Sequence, residues 1–213
     1  MNSAIRWRII TLQAVMVVVL AAGAIFAFSL GTFTTNQIKD ELTSQQIFFP
    51  GTDQIKAGGA LDPAKFPQEI RDQAGNQVTD GNQARIYAND FIGKHLEGTA
   101  NGLTYASVGT KISQLKAQQA SLAKDDPAYT DLGNQITTLT AARETLFKGE
   151  TLRGNLLNAY GWWTVGTYTT LASYGLMLVS LVVLGALVFE VVAARRPQTV
   201  MVAQKARAIS TTA

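Results

Sequence analysis

Two long stretches without a charged side chain dominate this sequence, one from Ile9 to Ile38 and the other from Gly154 to Phe189. About 20 apolar residues in a helix cross a hydrocarbon core of roughly 30 Å, so each run is long enough to do so. The most apolar part of the first lies around Ala14–Phe28, and that of the second between Leu171 and Val192. The residues between the runs are ordinary in polarity. Yet the 213-residue chain as a whole is 47% hydrophobic and only 15% charged, against about 25% charge in an average soluble domain.

The signs of the flanking charges predict an orientation. Arg6 and Arg8 precede the first run, and Arg195, Arg196, Lys205 and Arg207 follow the second. Between these groups lie 12 basic and 14 acidic side chains, leaving Glu190 with the second run. Positive charge concentrated in both tails predicts two cytoplasmic termini and an extracytoplasmic middle. It also argues against a nucleic-acid-binding face, which needs lysine and arginine clustered on a folded surface. A cleaved signal peptide is the alternative for the first run. Its apolar stretch continues to Phe33, beyond the about 7–15 residues of a signal core, which predicts a retained anchor in the plasma membrane.

The layout expected is an all-α membrane protein with two transmembrane helices flanking an extracytoplasmic helical segment. A tail covers 1–8, a first span 9–33, the extracytoplasmic domain 34–153, an interfacial region and second span 154–194, and a second tail 195–213. Trp7 at one end, and Tyr160, Trp162, Trp163, Tyr168 and Tyr174 at the start of the second run, are candidates for the headgroup level, where amphipathic rings concentrate. Gly23, Ala27 and Gly31 share one helix face at four-residue spacing and are candidates for close helix packing.

In the middle, Ile38 and Leu42 predict that the first helix continues to about residue 46. Pro50, Gly51, Gly58, Gly59, Pro63, Pro67, Gly75 and Gly81 then punctuate 48–81, which reads as an irregular loop with one short helix around 63–73. A loop of that length is uncommon unless it functions or docks onto something, which makes it a candidate partner-binding surface. Ile86, Tyr87, Phe91, Ile92 and Leu96 predict a helix over 83–96. Tyr105, Val108, Ile112, Leu115 and Leu122, then Tyr129, Leu132, Ile136, Leu139, Arg143 and Leu146, repeat in steps of three and four. With Asp126 as N-cap and Pro127 at the first helical position, they predict an antiparallel helical hairpin over 104–148. Glu150 and Arg153 lie one turn apart and are expected to pair.

Catalytic chemistry finds little footing in this sequence. There is no cysteine and one histidine, so no site can take a thiolate, or two imidazoles, from this chain. His95-Leu96-Glu97 has the H-x-E order of zinc deaminases without their P-C-x-x-C, and reads as a histidine near a helix end. Asp125, Asp126 and Asp131 lack the spacing of a calcium loop and fit a capped turn. Glu190 stands near the end of the second run, where Arg195 and Arg196 are its expected partners. No phosphate-binding loop, dinucleotide fingerprint or nucleophile elbow is present. No catalytic, cofactor-binding or metal-binding residue is therefore assigned.

Two blocks carry a resemblance: Ala84-Arg-Ile-Tyr-Ala-Asn-Asp-Phe-Ile-Gly-Lys-His-Leu96, and Leu146-Phe-Lys-Gly-Glu-Thr-Leu-Arg-Gly-Asn-Leu-Leu-Asn-Ala-Tyr-Gly-Trp162. With the two-span layout, they resemble the actinobacterial membrane family that includes prokaryotic respiratory supercomplex association factor 1. Its members often carry the label aromatic ring-opening dioxygenase, which the ligand inventory of this chain does not support. The resemblance implies a non-catalytic accessory subunit among the subunits of a cytochrome bcc–aa3 respiratory supercomplex and its lipids, with no cofactor of its own. An extracytoplasmic sensor and a transient assembly factor share the same outline. Against the sensor, only 19 residues follow Ala194.

Overall fold

The computed structural model describes residues 3–195; Arg196, Lys205 and Arg207, which carried much of the predicted charge of the second tail, lie outside them. Among the described residues the chain is helical and without strands. Helix α1 spans Ser3–Ser44 and α6 spans Pro127–Arg195. Both are long and apolar enough to cross a membrane. Between them come α2 (Gln68–Arg71), α3 (Gly81–Ile86), a π-helical turn (Tyr87–Gly93), α4 (Lys94–Glu97) and α5 (Tyr105–Ala120). The chain divides into two units, a span pair of residues up to 31 and from 168, and a central unit of residues 32–167.

In the central unit, side chains from every part of the segment share one core. Leu42 of α1, Leu61, Ile70 of α2, Val78, Ile92, Val108 of α5, and Leu146 and Leu156 of α6 are all buried in it. The segment 48–81 is irregular, as its glycines and prolines predict, but most of its apolar residues are turned inward. Phe49, Leu61, Phe66, Ile70 and Val78 are buried, while Phe48 stays exposed. An antiparallel bridge between Phe48 and Gln77 closes its ends, with Val78 N–H donating to the Ile47 carbonyl at 2.8 Å and Phe49 N–H to that of Asn76 at 2.9 Å. What this segment docks onto is its own core. The long loop therefore has a structural explanation.

Asp62 organises the middle of that segment. Its carboxylate accepts the N–H of Gly58 and of Ala64, each at 2.9 Å. Those two bonds, the Gly58 bond foremost, favour the ionised form and hold its pKa below the ordinary aspartate value. A depressed carboxylate stabilises the fold above its unfolded pKa, near 4, and stops doing so as pH falls through the lower folded value. Asp62→Asn is therefore expected to lower Tm by a few degrees at neutral pH. The difference from the parent should close in acid; melts that stay equally far apart down to about pH 2 would contradict this role.

Helices α5 and α6 lie antiparallel. Tyr105 meets Phe147 with ring centroids 5.8 Å apart, Gly109 faces the Arg143 guanidinium, and Gln119 Nε2 donates to the Tyr129 carbonyl at 2.9 Å. Thr104 and Ser107 close a capping box on α5, and Asp126 caps α6 by accepting the Ala128 N–H at 2.8 Å. The second hairpin helix does not stop near 148, where the sequence suggested a boundary. It runs on as one helix of 69 residues through the start of the second apolar run. An interior helical glycine costs only about 1 kcal/mol, so Gly149, Gly154 and Gly161 do not end it.

Candidate functional site

The two blocks singled out in the sequence, 84–96 and 146–162, meet in the central unit. The first begins just inside α3, whose N-cap Asp80 accepts the Gln83 N–H at 2.9 Å. It then widens into the π-helical turn. Such turns inside α-helical segments are uncommon and often mark functional positions. Here the turn sets up a ladder of rings at four-residue spacing. Tyr87 and Phe91 have centroids 5.0 Å apart, and Phe91 and His95 4.4 Å apart. Phe49 packs edge-on to Tyr87 and Phe66 tilts over both Phe91 and His95. His95 is exposed, and its Nδ1 lies 2.8 Å from the Phe91 carbonyl, so the only histidine serves this local structure.

The second block lies along α6 and receives the first. A Cβ on Gly149 would stand 2.5 Å from Leu96 Cδ2, so the missing side chain is what admits Leu96. One turn on, Arg153 donates to Asn89 Oδ1 at 3.1 Å and to Glu150 Oε2 at 3.2 Å. The intrahelical pair of Glu150 and Arg153 is thus formed as its spacing predicts. The Asn89 bond across to the first block was not foreseen. Arg85 pairs with Glu69, and its guanidinium lies 6.0 Å from the ring centre of Tyr160. Beside this junction is a cavity of about 190 Å³ bordered by Asn89, Arg153, Glu150, Leu103 and Gly102. The chain enters its rim through left-handed backbone at Ala100 (φ 53°), Asn101 (φ 56°) and Gly102 (φ 79°). For alanine that conformation costs roughly 1–2 kcal/mol, so the turn is held by its surroundings.

Two groups at the junction have raised proton affinity. Burial pushes the Asp90 carboxyl up, and the neighbouring Glu69 charge adds to it; burial alone pushes up the Tyr87 phenol. Lys94, one turn from Asp90, makes its ion pair with Glu97 instead, at 3.0 Å. Among the described residues no three His, Asp or Glu side chains converge as a metal-binding group would require.

The contacts of the span pair centre on Ala24 and include Gly31 of the predicted small-residue face. Ser180 Oγ donates to the Val17 carbonyl at 3.3 Å, Phe28 meets Tyr174 with centroids 6.0 Å apart, and Arg6 pairs with Glu190 at 3.2 Å. These contacts make the two apolar segments antiparallel. The most buried positions are Ala24 and Ser173, each 1% exposed, with Ile10 and Ser180 also buried. Ile10, Val17, Ala24 and Gly31 recur every seven residues, as do Ser173, Ser180 and Leu187, the repeat of a left-handed helix pair. Gly31 is buried and Ala27 half-buried, whereas nothing lies within 4 Å of where a Gly23 Cβ would stand. Large side chains on the remaining faces, Leu12, Val18, Phe26, Val182 and Phe189 among them, are exposed. Glu190 is the clearest correction: its partner is Arg6 on the other span, not Arg195; Arg196 is outside the described residues.

The aromatic residues proposed for the membrane interface divide. Trp7, Trp162 and Tyr168 are more than half exposed. Trp163 is packed under Gly81, and Tyr160 lies beneath Arg85; both are half-buried and make contacts within the central unit. Compared with known proteins, the chain matches no family model, no curated protein and no solved structure.

Proposed function

We propose that this chain is a non-catalytic accessory subunit, or association factor, of a respiratory cytochrome bcc–aa3-type supercomplex. The observation that carries the reading is the meeting of the two resembling blocks. Residues 84–96 and 146–162 lie far apart in sequence, yet Asn89 bonds Arg153, Leu96 fills the space over Gly149, and Arg85 lies near Tyr160. The stretches that prompted the resemblance thus form one structural feature. Arg153 ties the two blocks together through Asn89 and Glu150, as a scaffold requires.

In this reading the two apolar helices sit in the plasma membrane with both termini in the cytoplasm, and the central unit is extracytoplasmic. The exposed large side chains of the spans face lipid and the apolar helices of larger subunits. The chain brings no haem, flavin or metal.

Gentle detergent extraction from native membranes, pull-down through a C-terminal tag, mass spectrometry and a visible spectrum test the proposal together. Stoichiometric cytochromes of the bcc and aa3 type are expected in the eluate. Recovery of the chain alone, or with a signalling kinase, would overturn it. So would a stoichiometric redox group in the isolated chain.

A further inference from the structure

A groove of about 360 Å³ runs between α5 and the first part of α6, sharing Tyr105 with the cavity at the junction of the two blocks. From α5 it takes Tyr105, Ile112 and Lys116, spaced by seven and four residues, so one stripe of the helix faces it. From α6 it takes Arg143, Glu144 and Phe147. Tyr105 and Phe147 are exposed and touch at one end, with Phe147 56% accessible. That is a large apolar side chain left open beside two cations.

The charges are uneven. The central unit as a whole carries more acid than base, but no acid occurs between Gly98 and Lys124, while Lys111 and Lys116 do. The single acid on the groove, Glu144, is held by Lys148 at 2.7 Å, and that bond keeps its pKa below the ordinary glutamate value. Arg143 is half-buried, with its guanidinium 4.3 Å from the centre of the Tyr105 ring. Its Nε is buried without an acceptor, and among the described residues neither Arg143 nor Lys116 has a carboxylate partner. A buried donor with no acceptor is costly, and a guanidinium stacked on a ring presents its remaining N–H groups as a fork suited to a carboxylate.

We propose that this groove is a docking site for an acidic, apolar-flanked segment of a partner protein. Its carboxylate is held by Arg143 and Lys116, and its apolar side chain lies on Tyr105 and Phe147. Charge complementarity selects the occupant, because an uncharged peptide leaves both cations without a partner and a basic one is repelled. The identity of the partner as a respiratory subunit rests on the function proposed above; the chemistry of the groove does not.

The test uses the full-length chain in its native membrane, with Phe147→p-benzoylphenylalanine as a photo-cross-linker. Cross-linked peptides are identified by mass spectrometry, and the tag pull-down is run in parallel. The expected product is a peptide of another protein with Asp or Glu within a few residues of the linked site. Its yield should fall on the order of tenfold with Lys116→Glu and with Arg143→Gln, and should decline at high salt. Lys116 is exposed, so its reversal leaves folding intact and keeps the test valid if Arg143→Gln destabilises the hairpin. Cross-links only to a second copy of this chain, cross-links to peptides without acid, no cross-link at all, or a yield indifferent to Lys116→Glu would each overturn the groove. Cytochromes absent from the parental pull-down would overturn the respiratory reading instead, whatever the cross-linked peptide shows.

Discussion

Gly81→Leu is expected to be the most damaging single substitution in the central unit, costing on the order of 3 kcal/mol or more. Even a Cβ at this position would stand inside 3.0 Å of Trp163 Cβ, Cγ and Cδ1. The Trp163 Cβ is fixed to the backbone of α6, so a rotamer change cannot clear it; α3 and α6 must separate. At about 2–4 °C per kcal/mol for a chain of this size, the midpoint should fall by roughly 6–12 °C. Gly81→Ala should show a smaller part of the same loss. Gly154→Ala is the control, because Gly154 lies within α6 and nothing stands within 4 Å of its missing Cβ. It should be neutral or stabilising by about 0.5–1 kcal/mol. Equal midpoints for Gly81→Leu and the parent would show that the close fit of Trp163 is not rigid.

The second large effect belongs to the span pair. Arg6 and Glu190 have side chains 29% and 25% exposed, between two apolar helices. An exposed ion pair contributes about 0–1 kcal/mol at most, but removing one member of a sheltered pair leaves the other charge uncompensated. Glu190→Leu alone should therefore destabilise the pair by about 2–3 kcal/mol. Arg6→Leu with Glu190→Leu should be less damaging than the two single changes added together. A double-mutant cycle in bicelles measures the coupling. Additive losses within about 0.5 kcal/mol would mean that the two charges are solvated independently.

What could be read from the sequence, and what could not, follows from the range of each interaction. The two charge-free runs, the Asp126–Pro127 start of α6, the Glu150–Arg153 pair and the three-and-four spacing of α5 are local patterns, and each appears where the residues place it. Arg195 was expected to partner Glu190 because it is near in sequence, while the partner found, Arg6, is 184 positions away. The contacts of Tyr160 with Arg85 and of Trp163 with Gly81 could not be read from the aromatic cluster, because those neighbours lie in another block. Of the small residues at four-residue spacing, Gly31 belongs to the seven-residue repeat through Ala24 and Ala27 is half-buried, while nothing approaches Gly23. The boundary at 148 followed the end of the apolar stripe at Leu146, which marks where α5 stops being covered and not where α6 ends. Packing over Gly149 needs the small residue and leaves the helix intact. The junction of the two resembling blocks was not legible at all, since nothing in either block names the other.

The π-helical turn gives this chain a point of unequal tolerance to length change. Hydrogen bonds from i to i+5 accommodate one residue more than an α-helical turn would. Removing a single residue between Tyr87 and Gly93 would let the segment relax to regular helix. Because the wide turn absorbs that residue locally, the chain after it would stay close to its present register and Leu96 would keep its place over Gly149, with only the Tyr87 and Phe91 rings realigned. The same deletion within α5 would rotate everything after it by about 100° and shift it by about 1.5 Å, one residue's share of an α-helix. Homologous chains of this architecture should therefore vary in length by one residue between Tyr87 and Gly93, at the polar bend between α5 and α6 or within 48–81, and keep their residue count within α5.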